Sequence, residues 1–203
     1  MSVNRTISVL AVTLALVAGP VGASAAGKSG IKGPAASSIA EQTLSAVEVD
    51  NLMYMREEEK LARDVYLTMF DAWGLAVFDN IAASEQTHTD SVKDMIEKYR
   101  LADPVVDDSI GVFVNQELAT LYAKLIARGT QSTLEALHVG AYIEEVDMVD
   151  LARAIEATDN ADIRQLYENL MSGSRNHLRA YVGQIENLGV VYEAQYLSQD
   201  EVD

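Results

Sequence analysis

The sequence contains no cysteine, which excludes a disulfide framework, thiolate metal sites, iron–sulfur clusters and a rubredoxin-type centre. Positive charge is scarce: 15 Lys and Arg against 31 Asp and Glu give a formal net charge of −16. Binding to phosphate backbones needs the opposite sign, so a nucleic-acid partner is not expected. The same acidity keeps the chain soluble and concentrates cations near its surface. There is no Gly-x-Ser-x-Gly elbow and no strand pattern to present one, which argues against Ser/His/Asp hydrolysis. A Gly-rich phosphate loop is also missing. The apolar run from Ile7 to Ala18 is too short and too weakly flanked for a membrane span.

What is present suits one helical domain. A chain of 203 residues with 49 % hydrophobic residues can bury a substantial core without staples. Residues 1–25 read as a secretory signal peptide: Arg5, the apolar run, Gly19-Pro20, and the small-x-small end Ala23-Ser24-Ala25. The expected location is therefore outside the cytoplasm: periplasmic, cell-surface or secreted. Residues 26–44 are mostly Gly, Ala, Ser and Pro and read as a flexible lead-in. The domain is expected over residues 45–198, with 199–203 as a tail. Within it, Tyr192 and Tyr196 are expected to pack against the helices, and Ser198-x-x-Glu201 has the form of a capping box.

Helical periodicity organises the domain into two hairpins of long helices joined by a long link. The first helix is predicted from near Ser45 to Trp73, with Leu52, Met55, Glu59, Ala62, Tyr66, Met69 and Trp73 on one face. Glu57 and Glu58, with Lys60 and Arg63, read as its solvated side. The second carries Phe78, Ile81, Glu85, His88, Val92, Met95 and Tyr99 on its stripe and ends by Asp103-Pro104. A shorter amphipathic segment from Asn115 to Arg128, capped by Gly129, serves as a crossover. The third long helix, Ser132 to Ala157, aligns Leu134, Leu137, Ala141, Glu144, Met148 and Leu151, with Asp147 and Glu145 on its flanks. The fourth, Ala161 to Leu188, aligns Ile163, Leu166, Leu170, Ser174, His177, Tyr181 and Ile185.

Each of these apolar stripes is interrupted by a potential ligand near its middle: Glu59, Glu85 with His88, Glu144, and His177. A carboxylate or imidazole buried alone costs several kcal/mol, on the order of a whole domain's net stability. The stripes carry no Lys or Arg to compensate them. Glu-x-x-His on an inward helix face is how four-helix carboxylate proteins hold a pair of metal ions. Carboxylate and imidazole donors together suit iron, manganese or zinc. A second Glu-x-x-His, Glu135 to His138, lies near a helix start and off the main stripe, so it is read as no part of this set.

The blocks Glu59-Lys60-Leu61-Ala62-Arg63-Asp64-Val65-Tyr66, Ser84-Glu85-Gln86-Thr87-His88, Ile143-Glu144-Glu145-x-Asp147 and Gly173-Ser174-Arg175-Asn176-His177-Leu178-Arg179 resemble a prokaryotic domain-of-unknown-function family within the ferritin-like superfamily. More distantly, residues 59–66 and 85–88 are similar to rubrerythrin. The resemblance covers residues 45–198. It implies an all-α, ferritin-like antiparallel four-helix bundle with a long crossover, holding non-haem di-iron. Glu59 would be the first-helix carboxylate, Glu85 the bridging one with His88 the imidazole on the same helix, Glu144 the third-helix carboxylate, and His177 the fourth-helix imidazole. Where most relatives have a fourth-helix Glu-x-x-His, this chain has Ser174-x-x-His177. Asp147 or Glu145 would then substitute, or the site would hold one metal, or two unequally. Ferroxidase- or peroxidase-type chemistry with dioxygen or peroxide follows from the resemblance, with Tyr66 and Tyr181 hydrogen-bonding nearby and electrons from Fe(II) or an outside donor. The alternative is a non-catalytic bundle that sequesters metal or binds a partner. A homodimer is compatible with either.

Overall fold

The computed structural model describes residues 43–202. The expected signal peptide and all but the last two residues of the lead-in lie outside them. The described residues form six helices and no strand: α1 Ala46–Trp73, α2 Ala76–Lys98, α3 Gln116–Gly129, α4 Thr133–Ala157, α5 Ala161–Asn187 and α6 Gln199–Val202. None is long and apolar enough to cross a membrane.

Local chemistry sets the helix ends. Ser45 caps α1 in a capping box with Glu48, and Gly74 ends it in the left-handed region at φ 66°. Only Leu75 separates Gly74 from α2, so the chain turns straight back on itself. Asn115 caps α3 by accepting from the N–H groups of Glu117 and Leu118, and Ser132 caps α4 by accepting from Glu135. Gly129, expected as a cap, is instead the last helical residue of α3, and Thr130 takes the cap position. A Cβ at position 129 would lie 2.6 Å from the Met69 sulfur, so close packing on α1 is what calls for glycine there. At the single turn of α6, Ser198 donates both its N–H and its hydroxyl to Glu201 Oε2, while the Glu201 N–H goes to the Ser198 carbonyl, so only half of the expected capping box forms.

The helices form a bundle. α1 packs along α2 and α4 along α5; α1 also meets α4, and α2 meets α5. α3 lies against α1 and α4. The apolar stripes meet in a core that includes Leu52, Met69, Phe78, Val92, Leu137, Leu151, Ile163 and Ile185, all essentially without solvent contact. Tyr192 is buried as expected, whereas Tyr196 is exposed and meets α4 through an edge-on ring contact with Tyr142 and an N–H donated to Glu145.

One expectation is overturned. Glu57, Glu58, Lys60 and Arg63 are all buried, not solvated. The link between α2 and α3 covers Glu57, Lys60 and Arg63, while α4 lies on the side of Glu58. Lys60 is fully buried, with Nζ 2.5 Å from Asp64 Oδ2, 2.9 Å from the Ser109 carbonyl and 4.5 Å from the Phe113 ring centre. Arg63 donates to Asp64, Asp108 and Gln86. Glu57 accepts the N–H groups of Val114 and Asn115. Periodicity within α1 carries no information about a loop that folds over it some fifty residues later.

Candidate metal centre

The four long helices bring their polar interruptions to one level. α2 contributes Glu85 and His88 one turn apart, because side chains three residues apart share a helix face. α5 contributes His177 and Ser174 by the same spacing, α4 Glu144 and Asp147, and α1 Glu59. All are buried except His88, which is nearly so.

Glu85 is the hub. His88 Nδ1 lies 2.7 Å from its Oε2 and His177 Nδ1 lies 2.7 Å from its Oε1. The two imidazole rings stack with centroids 5.3 Å apart. Glu85, His88 and His177 can place one donor atom each within 4.8 Å of one another, the one such set among the described residues. His88 Nδ1 also reaches Glu59 Oε2 at 3.3 Å, and His177 Nδ1 reaches Glu144 Oε2 at 3.5 Å. His177 Nε2 is 2.9 Å from the Ser84 hydroxyl, so the outer nitrogen has its own partner and Nδ1 faces the cluster.

Glu144 Oε1 accepts from the Tyr66 hydroxyl at 2.5 Å. The Tyr66 ring packs 5.3 Å from Tyr181 and 6.4 Å from Phe78, an aromatic lid on that side of the cluster. Ser174 donates to Asp147 Oδ2 at 2.5 Å. The fourth-helix serine therefore touches the site through Asp147 and adds no carboxylate of its own.

The electrostatics are unbalanced. Burial raises Glu85, but hydrogen bonds and charge from the two imidazoles outweigh it and hold the carboxyl down to about 2. Burial lowers both histidines, yet the carboxylates around them push His88 up to about 11 and His177 to about 10. Glu144 is raised by burial and by Glu85 to about 7, and Asp147 by burial and by Glu144 to about 8. Glu59 is driven well above the carboxylate range by burial and by Asp147. Two imidazoles thus face more carboxyl groups than they can neutralise, and no Lys or Arg lines the space between them.

That space is a cavity of about 10 Å³, room for one water or ion, lined by Glu58, Glu59, Ala62, Glu85, Ile143, Glu144 and Asp147. Buried carboxylate oxygens with no hydrogen-bond partner belong to three of its lining residues: Glu58 Oε2, Glu59 Oε1 and Asp147 Oδ1. An orphaned buried anion costs several kcal/mol and persists where something compensates it. An oxygen- and imidazole-rich donor set of this kind fits a divalent transition metal.

The structure thus brings together Glu59, Glu85, His88, Glu144, His177 and Asp147. Glu145 goes elsewhere: it accepts from the Tyr192 hydroxyl and from the N–H groups of Gln195, Tyr196 and Leu197, anchoring the C-terminal segment to α4. His138 stacks on Tyr192 in the same anchor. Sequence reasoning missed three participants. Glu58 lies on a second buried stripe of α1, with Leu61 and Val65, one position off the first. Ser84 gives no periodic signal. Gly173 stands where a Cβ would lie 2.5 Å from the His88 ring, so α5 leaves that imidazole its room.

Residues 48–203 match the sequence profile of a family described as "Uncharacterized protein domain (DUF2202)". The chain is similar to the uncharacterized protein MJ0754 of Methanocaldococcus jannaschii, at 53% identity over 167 residues, covering 82% of this chain and 90% of that protein. The crystal structure of the hypothetical protein MJ0754 from Methanococcus jannaschii superimposes with a TM-score of 0.78 at 54% identity, covering 79% of this chain and 92% of that one.

Proposed function

The chain belongs to the DUF2202 family, and from that premise we propose that it is an exported, ferritin-like metal-binding protein whose four-helix bundle of α1, α2, α4 and α5 holds non-haem iron. Manganese or zinc would suit the same donors. The observation that carries this reading is the trio of orphaned carboxylate oxygens, on Glu58, Glu59 and Asp147, around one small cavity beside the Glu85–His88–His177 cluster. Without a cation they are buried charges or forced protonations; with one they are ligands.

Glu85, His88 and His177 would hold a first ion, with Glu59, Glu144 and Asp147 available around it. Iron bound there supplies one-electron exchange with dioxygen or peroxide, the chemistry of a ferroxidase or peroxidase. The chain's own residues set the conditions. Glu85 balances the charge of both imidazole helices. Ser84 fixes the outer nitrogen of His177 and so the ring's orientation. Tyr66 holds Glu144, and with Tyr181 and Phe78 keeps water from that flank. A second reading, sequestration without turnover, is favoured by Ser174, which donates to Asp147 where a carboxylate donor would complete a symmetric dinuclear set.

Anaerobic loading of the purified protein with Fe(II), followed by metal analysis and assays of peroxide and Fe(II) turnover, separates these readings. Bound iron with repeated turnover supports the enzyme. Bound iron oxidised once supports sequestration, and absence of bound metal overturns both.

A further inference from the structure

The donors at the centre are of two chemical kinds: a cluster with two imidazoles, and beside it a cavity whose only ionisable lining groups are carboxylates. On the α2/α5 side stand the imidazoles of His88 and His177 with Glu85. On the α1/α4 side stand Glu58, Glu59 and Asp147, which present only oxygen. Their side chains share one arrangement. Asp147 has Oδ2 held by Ser174 and Oδ1 free. Glu59 has Oε2 turned to His88 and Oε1 free. Glu58 accepts from Tyr54 through one oxygen and leaves Oε2 free. Each of the three is more than nine-tenths buried, at 4 %, 2 % and 6 % exposure for Glu58, Glu59 and Asp147. Each thus lines the cavity, is oriented by one oxygen and leaves the other without a partner.

Resting on the metal-centre reading above, we propose that Glu58, Glu59 and Asp147 form a distinct, oxygen-only subsite for a hard divalent cation such as Mn²⁺, next to the imidazole subsite. Glu58 is its defining ligand. Imidazole donors bind zinc and iron far more tightly than manganese, whereas carboxylates and water suit Mn²⁺. A protein with one subsite of each kind holds two different metals side by side. The donors of the oxygen subsite do not all lie within 4.8 Å of one another as those of Glu85, His88 and His177 do, and a cation between them draws them together. Ser174 takes part by orienting Asp147. Its hydroxyl is short enough to leave the carboxylate of Asp147 in the position that a longer acidic side chain on α5 would compete for.

The test is sequential loading of the metal-free full chain: one equivalent of Zn²⁺, then titration with Mn²⁺ followed by the loss of the free-ion EPR signal. One Mn²⁺ per chain is expected, with no ¹⁴N hyperfine coupling, because no imidazole touches it. Glu58→Gln, which keeps the shape and the Tyr54 contact, is expected to weaken Mn²⁺ at least tenfold while one Zn²⁺ still binds. Nitrogen coupling on the wild-type Mn²⁺ overturns the proposal without any variant, and so does unchanged Mn²⁺ affinity in Glu58→Gln. A wild-type protein that takes up Zn²⁺ but no Mn²⁺ overturns the second subsite alone. Uptake of neither ion overturns the metal centre itself.

Discussion

Gly173 on α5 and His88 on α2 meet so closely that a Cβ on the glycine would lie 2.5 Å from the ring's Cε1 and Nε2. A glycine inside a helix sacrifices about 1 kcal/mol of stability relative to alanine. Here that cost is offset by the room it leaves for an imidazole of the proposed metal centre.

Gly173→Ala is therefore expected to displace His88, since a ring at the end of a side chain moves more readily than a helix. Metal affinity should fall at least tenfold, and the metal-free protein should lose stability as well, because the displaced ring leaves Glu85 one partner short. Calorimetric metal titration and thermal unfolding check this together. Unchanged affinity would show that His88 binds nothing from this position.

Glu85 is the counter-charge to both histidines, each Nδ1 2.7 Å from one of its oxygens. Glu85→Gln leaves two raised imidazoles facing an amide. Removing one member of a buried charged set costs about 3 kcal/mol. Urea unfolding of the metal-free protein at neutral pH should show a loss of that order, and metal uptake should vanish. A small loss would mean that the imidazoles are neutral without metal.

Asp64 is fully buried between Lys60 and Arg63 and also accepts the Gly111 N–H. Asp64→Ala leaves Lys60, itself without solvent contact, holding only a carbonyl and a ring face. The expected loss is about 3–5 kcal/mol. The first visible consequence should be protease sensitivity in the link between α2 and α3, which this cluster fastens to α1. Cleavage sites mapped by mass spectrometry should fall between residues 100 and 115; a uniform pattern along the chain would refute this.

Glu48 ties the start of α1 to the turn between α4 and α5. Its Oε1 accepts from Thr158 and Asn160 at 2.6 Å each, and its Oε2 from the Ser45 N–H and hydroxyl. Burial raises this carboxyl, but those donors outweigh it and hold the group down to about 2 from 4.5. A depressed carboxyl stabilises the fold fully above its unfolded value, and the contribution disappears as pH falls from about 4.5 to about 2. Glu48→Gln should cost about 2 kcal/mol at pH 6, from the lost charge-assisted hydrogen bonds. The difference from wild type should shrink as the unfolding experiment is taken from pH 5 to pH 3. A constant difference would show that Glu48 is not ionised in the native state.

The helical bundle was legible in the sequence because its signals are local. Ser45, Gly74, Asn115 and Ser132 act on the backbone within a few residues of themselves. The apolar stripes repeat at the helical period, so an acid or imidazole in the middle of one stands out before any partner is known. Glu59, Glu85, His88, Glu144 and His177 were readable for that reason. Membership of the family rests on the match over residues 48–203 as a whole.

What only the tertiary structure decided depends on elements distant in sequence. Glu58 faces the cavity because α4 lies over the second stripe of α1, and a stripe's neighbour is not written in its own period. Glu145 leaves the site because the C-terminal segment offers it a row of N–H donors. Lys60 and Arg63 are buried because a later link covers them. Gly173 matters through a ring on another helix. Helical periodicity says which side of a helix is buried; what it is buried against, and so whether a carboxylate there becomes a cap, an anchor or a ligand, is decided by packing.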